Sequence, residues 1–303
     1  FYSSKKYAGS KNLMRISCMW SFVRATQYIR NFIPEYSFYD KIYVSSQAIP
    51  KMVLKRALEK WNPNLVVVIY EDGMGTYVQG GHALNGSGKF QFLQKLLKFE
   101  FRPNGRTIFM PRLPQIAPPL ERVLEYKIVP MMPVPYKKLR NLFYAIFGAE
   151  EKIETINEKV IVFDYLRLSY NEDIRALDMM YDIIYKLYPQ DSICKLHPRS
   201  KVEIKSQIKI YSDTQIPIEM LYMDMNDLEE RVIVSVFSTA SFTPILMFGK
   251  SPILILLYKM FLDKERVIEY DKLLNKIMQV YESKIYTPCT ISEFEECLAL
   301  TKE

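Results

Sequence analysis

Three short stretches carry residue types that could act on a phosphate and a hydroxyl. The first is Glu71-Asp72-Gly73, two adjacent carboxylates and a glycine placed directly after the uncharged run Val66-Val67-Val68-Ile69-Tyr70. The second is Lys195-Leu196-His197-Pro198-Arg199, and the third is Phe237-Ser238-Thr239-Ala240-Ser241. A carboxylate can take a proton from a hydroxyl, and an imidazole can hydrogen-bond or protonate a departing phosphate oxygen. Two hydroxyls at a helix start stand beside unpaired backbone N–H groups and the positive end of the helix dipole, a setting that favours an anion. Glu219, in Ile216-Pro217-Ile218-Glu219-Met220, is a fourth candidate, either as an acceptor for ribose hydroxyls or as an acid favoured by the dipole of its own helix. Each stretch also has a plainer explanation: acid-acid-Gly is a common polar turn, Ser and Thr are ordinary caps, and a single histidine commonly serves as a structural hydrogen bonder.

The elements around these residues give them a shared position. Val66 to Tyr70 is a β-branched, uncharged run of the kind found in strands buried on both faces. A strand at 41–44, a helix opened by Pro50 and running to about Trp61, and the strand at 65–70 form the strand, helix, strand order of a parallel sheet. A helix over 11–32 precedes them, a glycine-rich loop over 73–88 and a helix over 89–99 follow, and Thr107 to Met110 reads as another strand. Seven prolines between Pro111 and Pro135 then crowd a region with one modest periodic run, Leu120 to Tyr126. After a helix over 136–147, closed by Gly148, and a charged segment over 150–159, strands and helices alternate regularly. Strands are expected at 160–163, 192–196, 208–211, 231–236 and 252–257, and helices at 172–188, 217–224, 240–248 and 265–282. These patterns predict an α/β protein of two Rossmann-like domains with parallel sheets, 1–150 and 151–303. The last helix, 291–300, is free to pack back on the first domain. Every candidate residue falls where a strand gives way to a loop or helix, the place where open α/β sheets hold ligands. A cleft between two such domains would bring them together.

Composition narrows the class. The 303 residues are 49% hydrophobic and 25% charged, the balance of a globular protein. A net charge of +7 and a pI near 9.0 imply attraction to something anionic, but the basic residues are scattered among acids and no nucleic-acid motif appears, which argues against nucleic acid. Four widely spaced cysteines, Cys18, Cys194, Cys289 and Cys297, suit a reducing, cytoplasmic setting rather than a disulfide framework. A start at Phe1 rather than Met is what trimming of a natural N-terminus would leave. The longest uncharged run, Val232 to Gly249, is interrupted by Ser, Thr and Pro and reads as strand, turn and buried helix rather than a membrane span. Neither G-x-G-x-x-G nor a P-loop is present, so a nucleotide would be held in another way. There is no Asp-x-Asp motif, and His82 sits in the glycine-rich loop, so no metal site is expected.

Glu71-Asp72-Gly73, His197-Pro198 and Ser238-Thr239 resemble, in order and context, the three short motifs of bacterial sialyltransferases. The longer strings Tyr70-Glu71-Asp72-Gly73-Met74-Gly75-Thr76-Tyr77 and Lys195-Leu196-His197-Pro198-Arg199 are most similar to glycosyltransferase family 52, the lipooligosaccharide sialyltransferases, and polysialyltransferases share the short motifs. The resemblance implies a GT-B fold whose two domains face a central cleft, and inverting, metal-independent transfer of sialic acid from CMP-sialic acid to a sugar hydroxyl such as terminal galactose. It implies Glu71 as general base with Asp72 as the alternative, and His197 bound to the donor phosphate and stabilising or protonating the leaving CMP. It further implies Pro198 shaping the cytidine pocket, Ser238 and Thr239 binding the phosphate, and Glu219 holding the ribose. No cofactor is implied beyond the donor itself. The partners the resemblance implies are a nucleotide-sugar donor and a glycan acceptor, and it suggests a homodimer; the basic charge would favour peripheral attachment to anionic lipid at the inner face of the cell membrane. Another nucleotide sugar on the same fold, or a non-catalytic nucleotide- or glycan-binding protein, is the alternative.

Overall fold

The structure is a computed structural model. It describes residues 39–44, 54–55, 58–59, 62–71, 73–74, 77, 107–117, 126–131, 136–147, 153–164, 171–198, 200 and 203–302. It divides into two compact units, Phe1–Met131 and Met132–Glu303. The helices expected over 11–32 and 89–99, the loop beyond Tyr77, and most of the helix over 50–61 lie outside the described residues.

Among the described residues, the first unit holds a four-stranded parallel sheet in the order β1 (Lys41–Val44), β2 (Val66–Tyr70), β3 (Thr107–Met110) and β4 (Tyr126–Ile128). β2 sits between neighbours and buries Val67, Val68 and Ile69, which is why its sequence is continuously apolar. β1, at the sheet's edge, instead alternates, with Ile42 and Val44 inward and Lys41 and Tyr43 exposed. Ile42, Val44, Val67 and Ile69 pack with Phe109, Leu65 and Leu58, and Leu54 lies against this cluster. Leu54 and Leu58 are four residues apart on one helical face, beside the Lys55–Glu59 ion pair at 2.8 Å. β4 follows the run that reads as weakly periodic over 120–126; three residues close to Pro130 and Pro133 carry too little alternation to announce a strand.

The second unit winds around β5. Its sheet runs β10-β9-β8-β5-β6-β7, all parallel, with β5 at Val160–Phe163, β6 at Ser192–Lys195 and β7 at Lys209–Ile210 on one side. β8 (Val232–Ser235), β9 (Ile253–Leu256) and β10 (Ile285–Tyr286) lie on the other. The chain therefore builds outward from β5 in one direction, returns to the middle, and builds outward in the other. That is a doubly wound sheet with its switch point between β5 and β8. β5, β6 and β8 are buried at every position, as strands covered on both faces must be.

The helices of this unit are α1 (Tyr136–Phe147), α2 (Asn171–Leu187), α3 (Ile218–Met223), α4 (Thr239–Thr243), α5 (Tyr258–Phe261), α6 (Lys264–Val280) and α7 (Ile291–Leu300). The helix expected over 240–248 is α-helical only to Thr243, and Pro244–Phe248 turns as a π-helix before Gly249 ends it in the left-handed region. α6 starts where Asp263 accepts from the Arg266 N–H at 3.0 Å. At α7, Thr290 accepts from the Glu293 N–H at 3.2 Å while the Glu293 carboxylate reaches back to the Cys289 N–H at 2.7 Å. α1 is tied to the residue after α3 by Arg140 and Asp224, 2.9 Å apart.

α7 packs against α2, burying Phe294 and Leu298. The Tyr188 hydroxyl, just after α2, lies 2.8 Å from the Thr301 hydroxyl, and Lys159 Nζ donates to the Thr301 carbonyl at 2.5 Å. The last helix is thus fastened to its own unit. Among the described residues no helix is long and apolar enough to cross a membrane. Leu298→Ala should destabilise this unit by about 2–5 kcal/mol through the cavity it leaves, measured as a lowered urea midpoint; an unchanged midpoint would mean that α7 adds nothing to the core.

Candidate active site

β5 and β6 are paired in register, Phe163 opposite Lys195, so the residues that follow them emerge side by side at the carboxyl edge. Asp164 follows β5 and accepts the His197 backbone N–H on Oδ1 at 2.7 Å. The His197 carbonyl accepts from the Ser200 N–H at 2.8 Å, closing a turn over Pro198, which is exposed. His197 itself is half-buried. The second Asp164 oxygen, Oδ2, is buried and has no hydrogen-bond partner. Burial first, and then the Asp164 charge, raises the pKa of the neighbouring Cys194 thiol, which is therefore a core residue rather than a nucleophile. Lys195 is also buried; its Nζ donates to the Asp213 carbonyl at 2.9 Å, and burial draws its pKa below the usual value against the pull of Asp213 and Asp164.

Across the switch point, β8 leads through Phe237 into Ser238 and Thr239. Ser238 is the N-cap of α4 and accepts the Ala240 N–H at 3.3 Å. The plain capping role is filled as well as any other. A buried contact of 2.7 Å between the Ser235 and Ser241 hydroxyls fastens α4 to the end of β8. Phe237 stacks on Tyr270 with ring centroids 3.9 Å apart. α3 lies against α4, and its Tyr222 hydroxyl donates to the Ala240 carbonyl at 3.2 Å. Pro217 opens α3, and Glu219 sits half-buried in its first turn, where a carboxylate complements the helix dipole.

In the first unit, Glu71 continues the β2–β3 ladder, its N–H donating to the Met110 carbonyl at 3.2 Å. Its side chain is only 4% exposed. Oε2 accepts the Arg112 backbone N–H at 2.8 Å and the Tyr77 hydroxyl. That hydroxyl in turn accepts the Leu113 N–H at 2.9 Å, so Glu71 and Tyr77 together clamp the turn that leaves β3. Oε1 is buried and has no partner. Gly73 has φ +113°, a backbone conformation that a side chain would strain, which accounts for the glycine after the acid pair. Asp72, His82 and Arg199 lie outside the described residues.

The second unit thus gathers Asp164, the His197 turn and the Ser238 cap around the β5–β8 switch point, with Glu219 on the helix that touches α4. The first unit presents one carboxylate oxygen locked in place and one without a donor, an arrangement able to accept a proton. Asp164 and Tyr77 are additions to the residues singled out from sequence. Asp164 follows the apolar run Val160–Phe163 and is found by the same strand-end reasoning as Glu71; Tyr77 has no such signal, since its bond depends on the path of the loop. Among the described residues, no three His, Cys, Asp or Glu side chains gather as a metal site.

Residues 9–257, most of the chain and all of the candidate residues, match the family model described as Alpha-2,8-polysialyltransferase (POLYST). A search of curated proteins finds no significant match.

Burial first, and then Glu71, raises the Tyr77 pKa above its usual 10.0, so the neutral hydroxyl's contribution is fully present below pH 10 and fades as pH climbs further. Tyr77→Phe should cost roughly 1–3 kcal/mol near neutral pH by leaving the Leu113 N–H without its acceptor. In urea titrations across alkaline pH, the wild-type advantage over this variant should shrink once pH passes 10; a constant gap would contradict the buried, Glu71-bonded hydroxyl.

Proposed function

The chain belongs to the alpha-2,8-polysialyltransferase family, and from that membership we propose that it moves sialic acid from CMP-sialic acid to a sugar hydroxyl of a bacterial surface glycan, with inversion and without a metal. The family makes it a glycosyltransferase of the sialyltransferase kind. The observation that most supports the finer reading is the convergence of Asp164, the His197 turn and the capped start of α4 on one sheet switch point, the position where a nucleotide binds in doubly wound folds.

In this reading the fold is of the GT-B type, with 1–150 on the acceptor side and 151–303 on the donor side. Glu71 Oε1 takes the proton of the acceptor hydroxyl, and Asp72 is the alternative acid. The acceptor oxygen forms its bond to the anomeric carbon as the bond from that carbon to the phosphate oxygen breaks, so the configuration inverts. CMP leaves with added negative charge. Donors aimed at that phosphate from His197, Ser238, Thr239 and the start of α4 hold the transition state more tightly than the ground state. Pro198 shapes the cytidine pocket, and Glu219 accepts from the ribose hydroxyls.

The family's own description points to the C8 hydroxyl of a terminal sialic acid as acceptor. The lipooligosaccharide-type resemblance of the longer strings points instead to terminal galactose. Peripheral attachment at the cytoplasmic face, where the charge of +7 would meet anionic lipid, and a homodimer belong to the same proposal.

Calorimetric titration should show binding of CMP well ahead of UDP, and equal affinity would reject the donor. Mass analysis of products from sialic acid-terminated and galactose-terminated acceptors will decide between the two hydroxyls. Glu71→Gln should lower transfer by about 10²–10⁴-fold while CMP affinity holds, the signature of a lost general base. Wild-type turnover in that variant would move the role to Asp72.

A further inference from the structure

The helix that carries Ser238 and Thr239 changes pitch partway along. An α-helix would run a hydrogen bond from the N–H of residue 244 to the carbonyl of residue 240, but residue 244 is proline and has no N–H to give. The backbone relaxes from α-helix at Thr239–Thr243 to a π-helix at Pro244–Phe248. The Ala240 carbonyl receives its donor from another element: the Tyr222 hydroxyl of α3, at 3.2 Å. Tyr222 is 2% exposed, so its hydroxyl cannot readily exchange this bond for water, while Ala240 is half-buried. Glu219 lies one turn earlier on α3, and its charge adds to burial in raising the Tyr222 pKa, which places the carboxylate within electrostatic reach of the same hydroxyl.

We propose that Tyr222 is a positioning residue of the donor site, its hydroxyl standing in for the N–H that Pro244 lacks and so locking the turn that bears Ser238 and Thr239 against the helix that bears Glu219. The bond sets the spacing between the groups assigned to the donor's phosphate and to its ribose, so this inference rests on the donor-site reading above. Removing the hydroxyl leaves the ring's packing intact and frees the first turn of α4. Restoring an N–H at position 244 supplies the carbonyl from within the helix and makes the hydroxyl dispensable.

The test compares wild type, Tyr222→Phe and the double variant Tyr222→Phe/Pro244→Ala by calorimetric titration with CMP and by amide hydrogen exchange over residues 239–243 without nucleotide. Tyr222→Phe should bind CMP roughly three- to tenfold more weakly, the worth of one hydrogen bond. It should also exchange the α4 amides faster. The double variant should recover both. Pro244 lies one turn along from Ala240, and replacing it can stabilise a helix by itself, so the single variant Pro244→Ala is measured beside the others; recovery in the double variant beyond the gain that Pro244→Ala shows over wild type is the distinguishing result. A folded Tyr222→Phe that binds and exchanges like wild type overturns the inference and leaves the donor reading standing. Wild type that fails to bind CMP overturns the donor reading, and the exchange data then decide whether Tyr222 locks α4. If neither variant folds, the hydroxyl is a general stabiliser and the positioning role is rejected.

Discussion

A parallel sheet covered on both faces admits a polar side chain along its strands only where the protein itself satisfies it, as it does Ser192, Lys195 and Ser235, and that constraint governs where groups can face a ligand. β5, β6 and β8 are buried throughout, so the first positions at which the second unit can present a carboxylate, an imidazole or a hydroxyl to a ligand are the ones just beyond their carboxyl ends. Winding outward from β5 in both directions then sets the topological switch point between β5 and β8, where doubly wound sheets hold their ligands. Asp164 and Ser238 stand on its two sides by topology, before any particular ligand is considered.

The two units treat their strand-end acids in the same way. Glu71 and Asp164 each use one oxygen to accept a backbone N–H from the loop of the neighbouring strand, Arg112 in one case and His197 in the other. Each leaves the second oxygen buried and without a donor. A buried carboxylate oxygen without a partner is costly, and native folds leave few of them. The anchored oxygen fixes the direction of the other, so both groups are held in orientation before a ligand arrives. For Glu71 the open oxygen suits proton abstraction. For Asp164 the anchored oxygen matters more, because it fixes the backbone from which the His197 side chain projects.

How much of this was legible in the sequence depended on whether a feature is local. The runs at 66–70, 160–163 and 232–234 are continuous and apolar because their strands are doubly covered, and they read as strands without help. β4, β10 and the four-residue α5 are too short to show a period, and they form because a neighbour is there to pair with or pack on. Pro244 was visible, but its effect was not: a proline inside an expected helix can kink it, end it or widen it, and the outcome here depends on Tyr222 reaching Ala240 from another helix. Glu71 was found by its position, while the clamp around it was hidden, since the Arg112 and Leu113 contributions are backbone N–H groups that any residue except proline would supply.

The start of α4 shows why capping and ligand binding need not compete. Ser238 spends a lone pair on the Ala240 N–H, and a hydroxyl still has its O–H to give. Aspartate or asparagine would cap this helix at least as well. Aspartate, however, would set a negative charge where the proposed phosphate must sit, and it offers no donor when ionised. A serine cap followed by threonine keeps the helix start closed, neutral and able to donate. The choice among residues of similar capping strength therefore carries more information about the proposed ligand than the presence of a cap does, because only a hydroxyl keeps a proton to offer after it has capped the helix.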